Sequence, residues 1–283
     1  MTEYRATICV CSDFDALSMW MDFGAMGARA LSRGEFGPRV GAPRLLDVLD
    51  RFDAPSTWFI PGHTAETFPE ITKRVADAGH EIANHGYHHE SFDALSIDEG
   101  RHVIKVSNDA LERITGQRPV GFRHPTGDLA QELLEVFVEE GFSYDSSLAA
   151  DDFFPYWARG AWTHQHLGPS TPGPLLDLVE IPHSFVLNDF HHFEFTYDGP
   201  KLTGRDGPAP VEAIWRAEWE YLLANAPGGI FNLVLHPESI GRGLRIAMLE
   251  RFLRDAAAEP GVRFATLATV AEEFRAAHPE GPA

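Results

Sequence analysis

Two histidines stand four apart in Asn84-His85-Gly86-Tyr87-His88-His89, and two aspartates stand two apart in Ser12-Asp13-Phe14-Asp15. Two imidazoles and one carboxylate are a common ligand set for a divalent ion that keeps coordination positions open. An ion held in this way activates water near neutral pH and polarises a carbonyl oxygen, which is hydrolytic chemistry. Side chains at i and i+2 of a strand share a face, so Asp13 and Asp15 are expected to point the same way. One of these carboxylates can bind the ion while the other takes a proton. His88 lies between the paired histidines and is assigned no role.

Two further residues fit the same chemistry. Arg123, in Phe122-Arg123-His124-Pro125-Thr126-Gly127, can clamp a carboxylate through two parallel hydrogen bonds and keep it ionised. His236 closes the apolar run Leu233-Val234-Leu235, and an imidazole there is suited to protonate a departing nitrogen. Each residue alone has a plainer reading, as a core histidine, a helix cap or a surface arginine before a turn. The functional reading rests on their common placement at the ends of apolar segments.

Those segments read as strands over 6–11, 56–60, 80–84, 120–123, 142–145, 178–184, 230–235 and 262–267, with helical patterns between them. Phe68, Ile71 and Val75 keep helical spacing up to Gly79. Ser96 and Glu99 form a capping box that opens the stripe Val103, Val106, Ala110 and Ile114, which ends at Gly116. Leu133, Val136 and Phe137 mark another helix, as do Leu244, Met248 and Phe252. Alternating β and α units imply a parallel sheet, as a barrel or doubly wound. No GxGxxG or P-loop is present, and several different strands deliver polar residues to one rim, which selects a (β/α) barrel.

Residues 149–177 and 197–210 read as long irregular stretches of the kind that form lids or contact surfaces. Phe153-Phe154-Pro155-Tyr156-Trp157 and Phe190-His191-His192-Phe193 are expected to narrow the barrel mouth around a small ligand. One domain spans 1–283, with a flexible tail over 276–283.

The formal net charge of −19 argues against nucleic acid or an anionic membrane surface as partner. No apolar run reaches membrane-spanning length, and Met1-Thr2-Glu3-Tyr4-Arg5 lacks the pattern of a signal peptide, so a cytoplasmic location is expected. The two cysteines, Cys9 and Cys11, sit about 7 Å apart along one strand face, too far for an unstrained disulfide, and are expected to be packing residues.

Together the motifs resemble the polysaccharide deacetylase superfamily, the NodB-homology or carbohydrate esterase 4 group, from about residue 6 to 240. The HxxxH motif matches His85 and His89, R-x-P-x-G matches Arg123, Pro125 and Gly127, and L-x-L-H matches Leu233, Leu235 and His236. The resemblance implies a distorted (β/α) barrel of the α/β class, with a divalent metal, commonly zinc, on Asp15, His85 and His89. It implies Asp13 as base, Arg123 as its partner, His236 as acid and Asp145 as the residue that tunes His236. The chain departs from the family's T-F-D-D-G in that Asp13-Phe14-Asp15 spaces the two aspartates by one residue.

Asp13-Phe14-Asp15-Ala16, the stretch from Phe59 to Glu66 and Asp145-Ser146-Ser147 resemble an intracellular subgroup that includes hydrolases of cyclic imides and ureides. Its members tend to be homotetramers. The expected reaction is hydrolysis of a non-peptide carbon–nitrogen bond in a saccharide amide, or alternatively in a small cyclic imide or ureide. Two rival classes are an Fe(II) oxygenase and a metal-free sugar-binding module, and neither explains the Arg123 and His236 motifs.

Overall fold

The computed structural model describes residues 4–196 and 204–282, and among these nine strands join one sheet. The strands are β1 (Ala6–Asp13), β2 (Ser56–Ile60), β3 (Glu81–Asn84), β4 (Gly121–Phe122), β5 (Tyr144–Asp145), β6 (Tyr156–Arg159), β7 (Leu175–Glu180), β8 (Gly229–Leu235) and β9 (Val262–Phe264). Their order is β6-β7-β5-β4-β3-β2-β1-β8, with β9 beside the first half of β1. Every pairing is parallel except β6 with β7. Helices cover the outside, and the sheet curls into the expected distorted barrel.

Strand alternation sets what each face of β1 does. Ile8, Val10 and Phe14 join the layer packed against helices Ala42–Arg51, Pro208–Asn225 and Gly243–Ala257. Cys9 and Cys11 point into the barrel with Phe59, Ala83, Tyr144 and Val179, both as free buried thiols. Asp13 and Asp15 continue this inward series at the C-terminal end of the strand. Phe14 lies between them and meets Trp58 edge-on on the outer side. The one-residue spacing of the aspartates therefore keeps both carboxylates inside.

The barrel does not close by strand pairing between β7 and β8. Side chains and connecting segments span the gap instead. Asn232 of β8 donates to the carbonyl of Pro182 at 2.7 Å and to Ser146 Oγ at 3.2 Å. Ile230 N donates to the Phe153 carbonyl at 2.8 Å, and Asn188 bridges to Val234. Buried backbone groups at an incomplete barrel wall must find such partners.

Several expectations change. Residues 149–177 do not form a lid: β6 and β7 make an antiparallel hairpin whose arms bridge again at Thr163 and Thr171. Phe153 is buried in the core, and Trp157 packs on Phe274 with ring centroids 5.2 Å apart. Residues 197–203 lie outside the described residues, and Pro208, expected in an irregular stretch, starts a helix where its missing N–H costs nothing. The last strand stops at Phe264 because Thr266 caps the helix Leu267–Ala277. That helix extends into the segment expected to be a tail. Among the described residues no helix is long and apolar enough to cross a membrane.

Strands β4 and β5 are only two residues long, yet the first leads directly into Arg123 and the second ends on Asp145. Gly121 makes their pairing possible, because a Cβ there would lie 1.9 Å from a ring carbon of Tyr144. Tyr144 cannot easily yield, since its hydroxyl donates to Glu81 at 2.6 Å. Gly121→Ala should therefore destabilise the protein by about 1–3 kcal/mol, the usual range for overpacking. Urea unfolding measures this, and an unchanged midpoint would contradict the packing described.

Candidate active site

Asp15 is fully buried, and neither carboxylate oxygen accepts a hydrogen bond among the described residues. His85 Nε2 lies 3.4 Å from Oδ1, and His89 Nε2 lies 3.5 Å from Oδ2. The backbone of Asp15 is held firmly: its carbonyl accepts from Ser18 Oγ and Thr64 Oγ1, each at 2.6 Å. His85 Nδ1 sits 2.7 Å from the Arg123 carbonyl, so that nitrogen carries the proton and the Nε2 lone pair faces Asp15. Burial is the main cause that keeps His85 below its ordinary pKa, which favours the neutral ligand form.

A turn, not a helix, brings the two histidines together. Asn84 Oδ1 accepts from Gly86 N at 2.8 Å, and Glu90 accepts from Tyr87 N and His88 N at 2.9 Å each. Gly86 and His89 both adopt left-handed backbone, with φ of 70° and 67°. This conformation is natural for glycine and strained for histidine, and such strain collects at functional sites. His88 points outward against His63, as its lack of a role implied.

Asp13 lies beside this group with a different partner. Arg123 Nη1 donates to Asp13 Oδ1 at 2.7 Å, and both side chains are buried. Two further donors of Arg123 go to Ser146, Nε to its carbonyl and Nη2 to its hydroxyl, each at 3.0 Å. The clamp is thus one hydrogen bond to Asp13 and not the two-pronged contact expected. The guanidinium also lies over the Phe59 ring at 4.1 Å. Burial alone would push the Asp13 carboxyl up, but Arg123, His85 and His236 outweigh it and hold the group below the usual carboxylate range. Asp15 is likewise held low, against its burial, by His89, His85 and His236.

His236 completes the cluster. Its Nε2 is 4.0 Å from Asp13 Oδ2 and 3.6 Å from Asp15 Oδ2. Its Nδ1 is 2.8 Å from Asp189 Oδ1, and the same oxygen accepts from its backbone N at 3.0 Å. Burial opposes the charged imidazole, yet Asp189, Asp15 and Asp13 prevail and push the pKa up to about 10. An imidazole so placed offers a proton at Nε2.

Asp189 takes the place expected of Asp145. Asp145 has no hydrogen bond or ion pair with His236. Its carboxylate accepts from Ser147 Oγ at 2.7 Å and Ser147 N at 3.2 Å. It pairs with Glu180, the opposite residue in β7, which accepts from Leu148 N at 2.8 Å. Burial drives the Asp145 carboxyl up to about 6. Asp189 escaped the sequence reading because Asn188-Asp189 opens the short helix Asp189–Phe193, where an acidic residue resembles ordinary capping. Its spatial neighbour is 47 positions away, and no local spacing records that.

The cluster floors a cavity of about 350 Å³. His124, His183, Phe185, Phe190 and His191 form much of its wall. Of the aromatic segments expected at the mouth, Phe190 and His191 reach the cavity, Phe193 is buried in the core, and none of the residues from Phe153 to Trp157 lines it.

The buried unpartnered carboxylate of Asp15, faced by two imidazole Nε2 atoms, fits a cation, and the ligand atoms of Asp15, His85 and His89 lie within 4.8 Å of one another. The polysaccharide deacetylase family model matches residues 35–144. A peptidoglycan deacetylase of Helicobacter pylori is 31% identical, over 94% of this chain and 95% of its own length. The chain belongs to the polysaccharide deacetylase family. Its members are hydrolases of carbon–nitrogen bonds other than peptide bonds. The structure of a candidate polysaccharide deacetylase from Mycobacterium smegmatis superposes with a TM-score of 0.85 at 34% identity, covering 98% of this chain and 92% of that one. The Puue allantoinase shares the fold, with a TM-score of 0.80 at 23% identity over 98% of this chain and 93% of its own.

The two acids separate by experiment. Asp189→Asn should lower kcat by about a hundredfold, the scale of a disabled acid–base group, while Asp145→Asn should leave kcat close to wild type. The fold favours the protonated Asp145 carboxyl, so its contribution to stability is present at low pH and is lost as pH rises through about 6. Asp145→Asn should therefore flatten the decline in stability across that window, as read by urea unfolding at several pH values. A large kcat loss confined to Asp145→Asn would reverse the assignment.

Proposed function

We propose that the protein hydrolyses an N-acyl amide of a saccharide, with a divalent ion, most simply zinc, on Asp15, His85 and His89. The observation that carries this reading is the buried Asp15 carboxylate, with both oxygens free of hydrogen bonds and two imidazoles turned toward it. An ionised carboxylate in such a place is costly unless a cation compensates it. Two histidines and a carboxylate are zinc ligands in known hydrolytic sites.

When bound, the ion supplies Lewis acidity toward the carbonyl oxygen and makes water more acidic. The chain's own residues do the rest. Asp13 removes the proton of the attacking water, and Arg123 keeps it ionised and aimed by holding one oxygen, which leaves Oδ2 toward the site. His236 gives its Nε2 proton to the nitrogen as the carbon–nitrogen bond breaks. Asp189 fixes the ring by binding Nδ1, which keeps Nε2 pointed inward. Asp13 and His236 are thus the catalytic residues, and Arg123 and Asp189 position them. The products are a carboxylate and an amine.

The full-length relative named for peptidoglycan supports a saccharide substrate. The cavity of about 350 Å³ favours a second reading, a small cyclic imide or ureide, because it lies at the small end of ligand sites. The same residues would open a ring amide.

The purified protein should hold about one divalent ion per chain, and His85→Ala with His89→Ala should remove it. Asp13→Asn should keep the ion and lose at least roughly a hundredfold in kcat on N-acetyl saccharides or cyclic imides. Elemental analysis reads the ion, acetate release reads the saccharide reaction, and loss of the imide's ultraviolet absorbance reads ring opening. Metal retained by the double histidine variant, or lost with Asp13→Asn, would refute the division of roles.

A further inference from the structure

Phe185 is 65% exposed, and of the exposed large apolar side chains among the described residues it alone lines the active-site cavity. A phenyl ring left in water forgoes the gain of burial, so a ring held out at a pocket rim marks a surface that something covers. This ring is held in place. His183 meets it at 5.1 Å between centroids with the planes 84° apart, and His191 meets it at 5.3 Å and 65°. Burial keeps His183 neutral, its pKa pushed down to about 3, so it packs as an apolar ring.

The backbone under Phe185 is equally fixed. The Val186 carbonyl accepts from Trp215 Nε1 at 3.2 Å and lies 3.0 Å from His192 Nε2. Three residues on, Asn188 bridges to β8, and Asp189 then orients His236. One short segment therefore carries both an exposed ring and the group that aims the catalytic histidine. A side chain on so rigid a support can place a ligand relative to that histidine.

We propose that Phe185 is the platform on which the substrate's ring stacks, a specificity-determining residue that selects cyclic saccharide amides over acyclic ones. The proposal rests on reading the site as an amide hydrolase. A pyranose carries C–H groups on its face and hydroxyls around its edge. Stacking that face on a phenyl ring removes apolar area from water while the hydroxyls stay hydrated. An acyclic amide has no such face and gains little from the ring.

The test compares wild type, Phe185→Ala and Phe185→Trp on the N-acetylglucosamine trisaccharide and on N-acetylethanolamine, an acyclic amide. Calorimetry also measures binding of the glucosamine trisaccharide, which carries no acyl group. Phe185→Ala should raise both KM and Kd for the trisaccharides about tenfold, roughly one aromatic stacking contact, change kcat much less than KM, and raise the KM of the acyclic amide by a smaller factor. Phe185→Trp should restore both. If KM and Kd ignore the substitution while the trisaccharide still releases acetate, the platform is overturned and the hydrolase reading stands. A wild type that releases no acetate, yet loses trisaccharide affinity on Phe185→Ala, keeps the platform and overturns the reading of the site as an N-acetyl saccharide hydrolase. A changed molar mass by light scattering with unchanged KM assigns the ring to contact between copies and overturns the platform.

Discussion

The Asp15 carboxylate has no exposure and, among the described residues, no hydrogen-bond donor, and the architecture around it follows from that one costly group. Two imidazoles face it on one side, and a third, from His236, approaches to 3.6 Å. Three elements from distant parts of the chain converge there: the end of β1, the turn after β3 and the residue after β8. Parallel strands that all end at one rim make that convergence possible. On the proposed reading, a cation bound there compensates the charge.

Asp13 lies two residues from Asp15 on the same strand face, and its circumstances are different. Arg123 compensates it directly, so it stays ionised without coordinating anything. The end of β1 and the residues just after it thereby hold two buried carboxylates, distinguished by their partners. Ser146 ties this arrangement to the barrel wall. Its carbonyl and hydroxyl bind Arg123, and the hydroxyl also contacts Asn232, which spans the gap between β7 and β8. The structural seam and the Asp13–Arg123 pair therefore share one hydrogen-bonded network, and disturbing either should be felt by the other.

Much of this was legible in the sequence. Strands such as β1 and β8 are continuous apolar runs buried along their whole length, and that pattern survives any tertiary context. The residues after their ends could be read as a rim, which places Asp13, Asp15, His85, His89, Arg123 and His236 together. What escaped was pairing across the chain. Asp145 ends a strand and Asp189 opens a short helix, both buried, and only the fold shows that His236 meets the second. The aromatic run from Phe153 to Trp157 was apolar because it packs at a sheet edge and in the core, and composition alone cannot tell that from a lid. Helix Pro208–Asn225 was hidden by prolines that its first turn accommodates.

The central claim is that Asp15, His85 and His89 hold the cation while Asp13 stands apart on Arg123. Anomalous diffraction from a zinc-loaded crystal tests it most directly. The expected result is one strong peak about 2.0–2.2 Å from an Asp15 oxygen and the two Nε2 atoms, with Asp13 still bonded to Arg123. A peak ligated by Asp13, or Asp15 left outside the ion's coordination shell, would contradict the account.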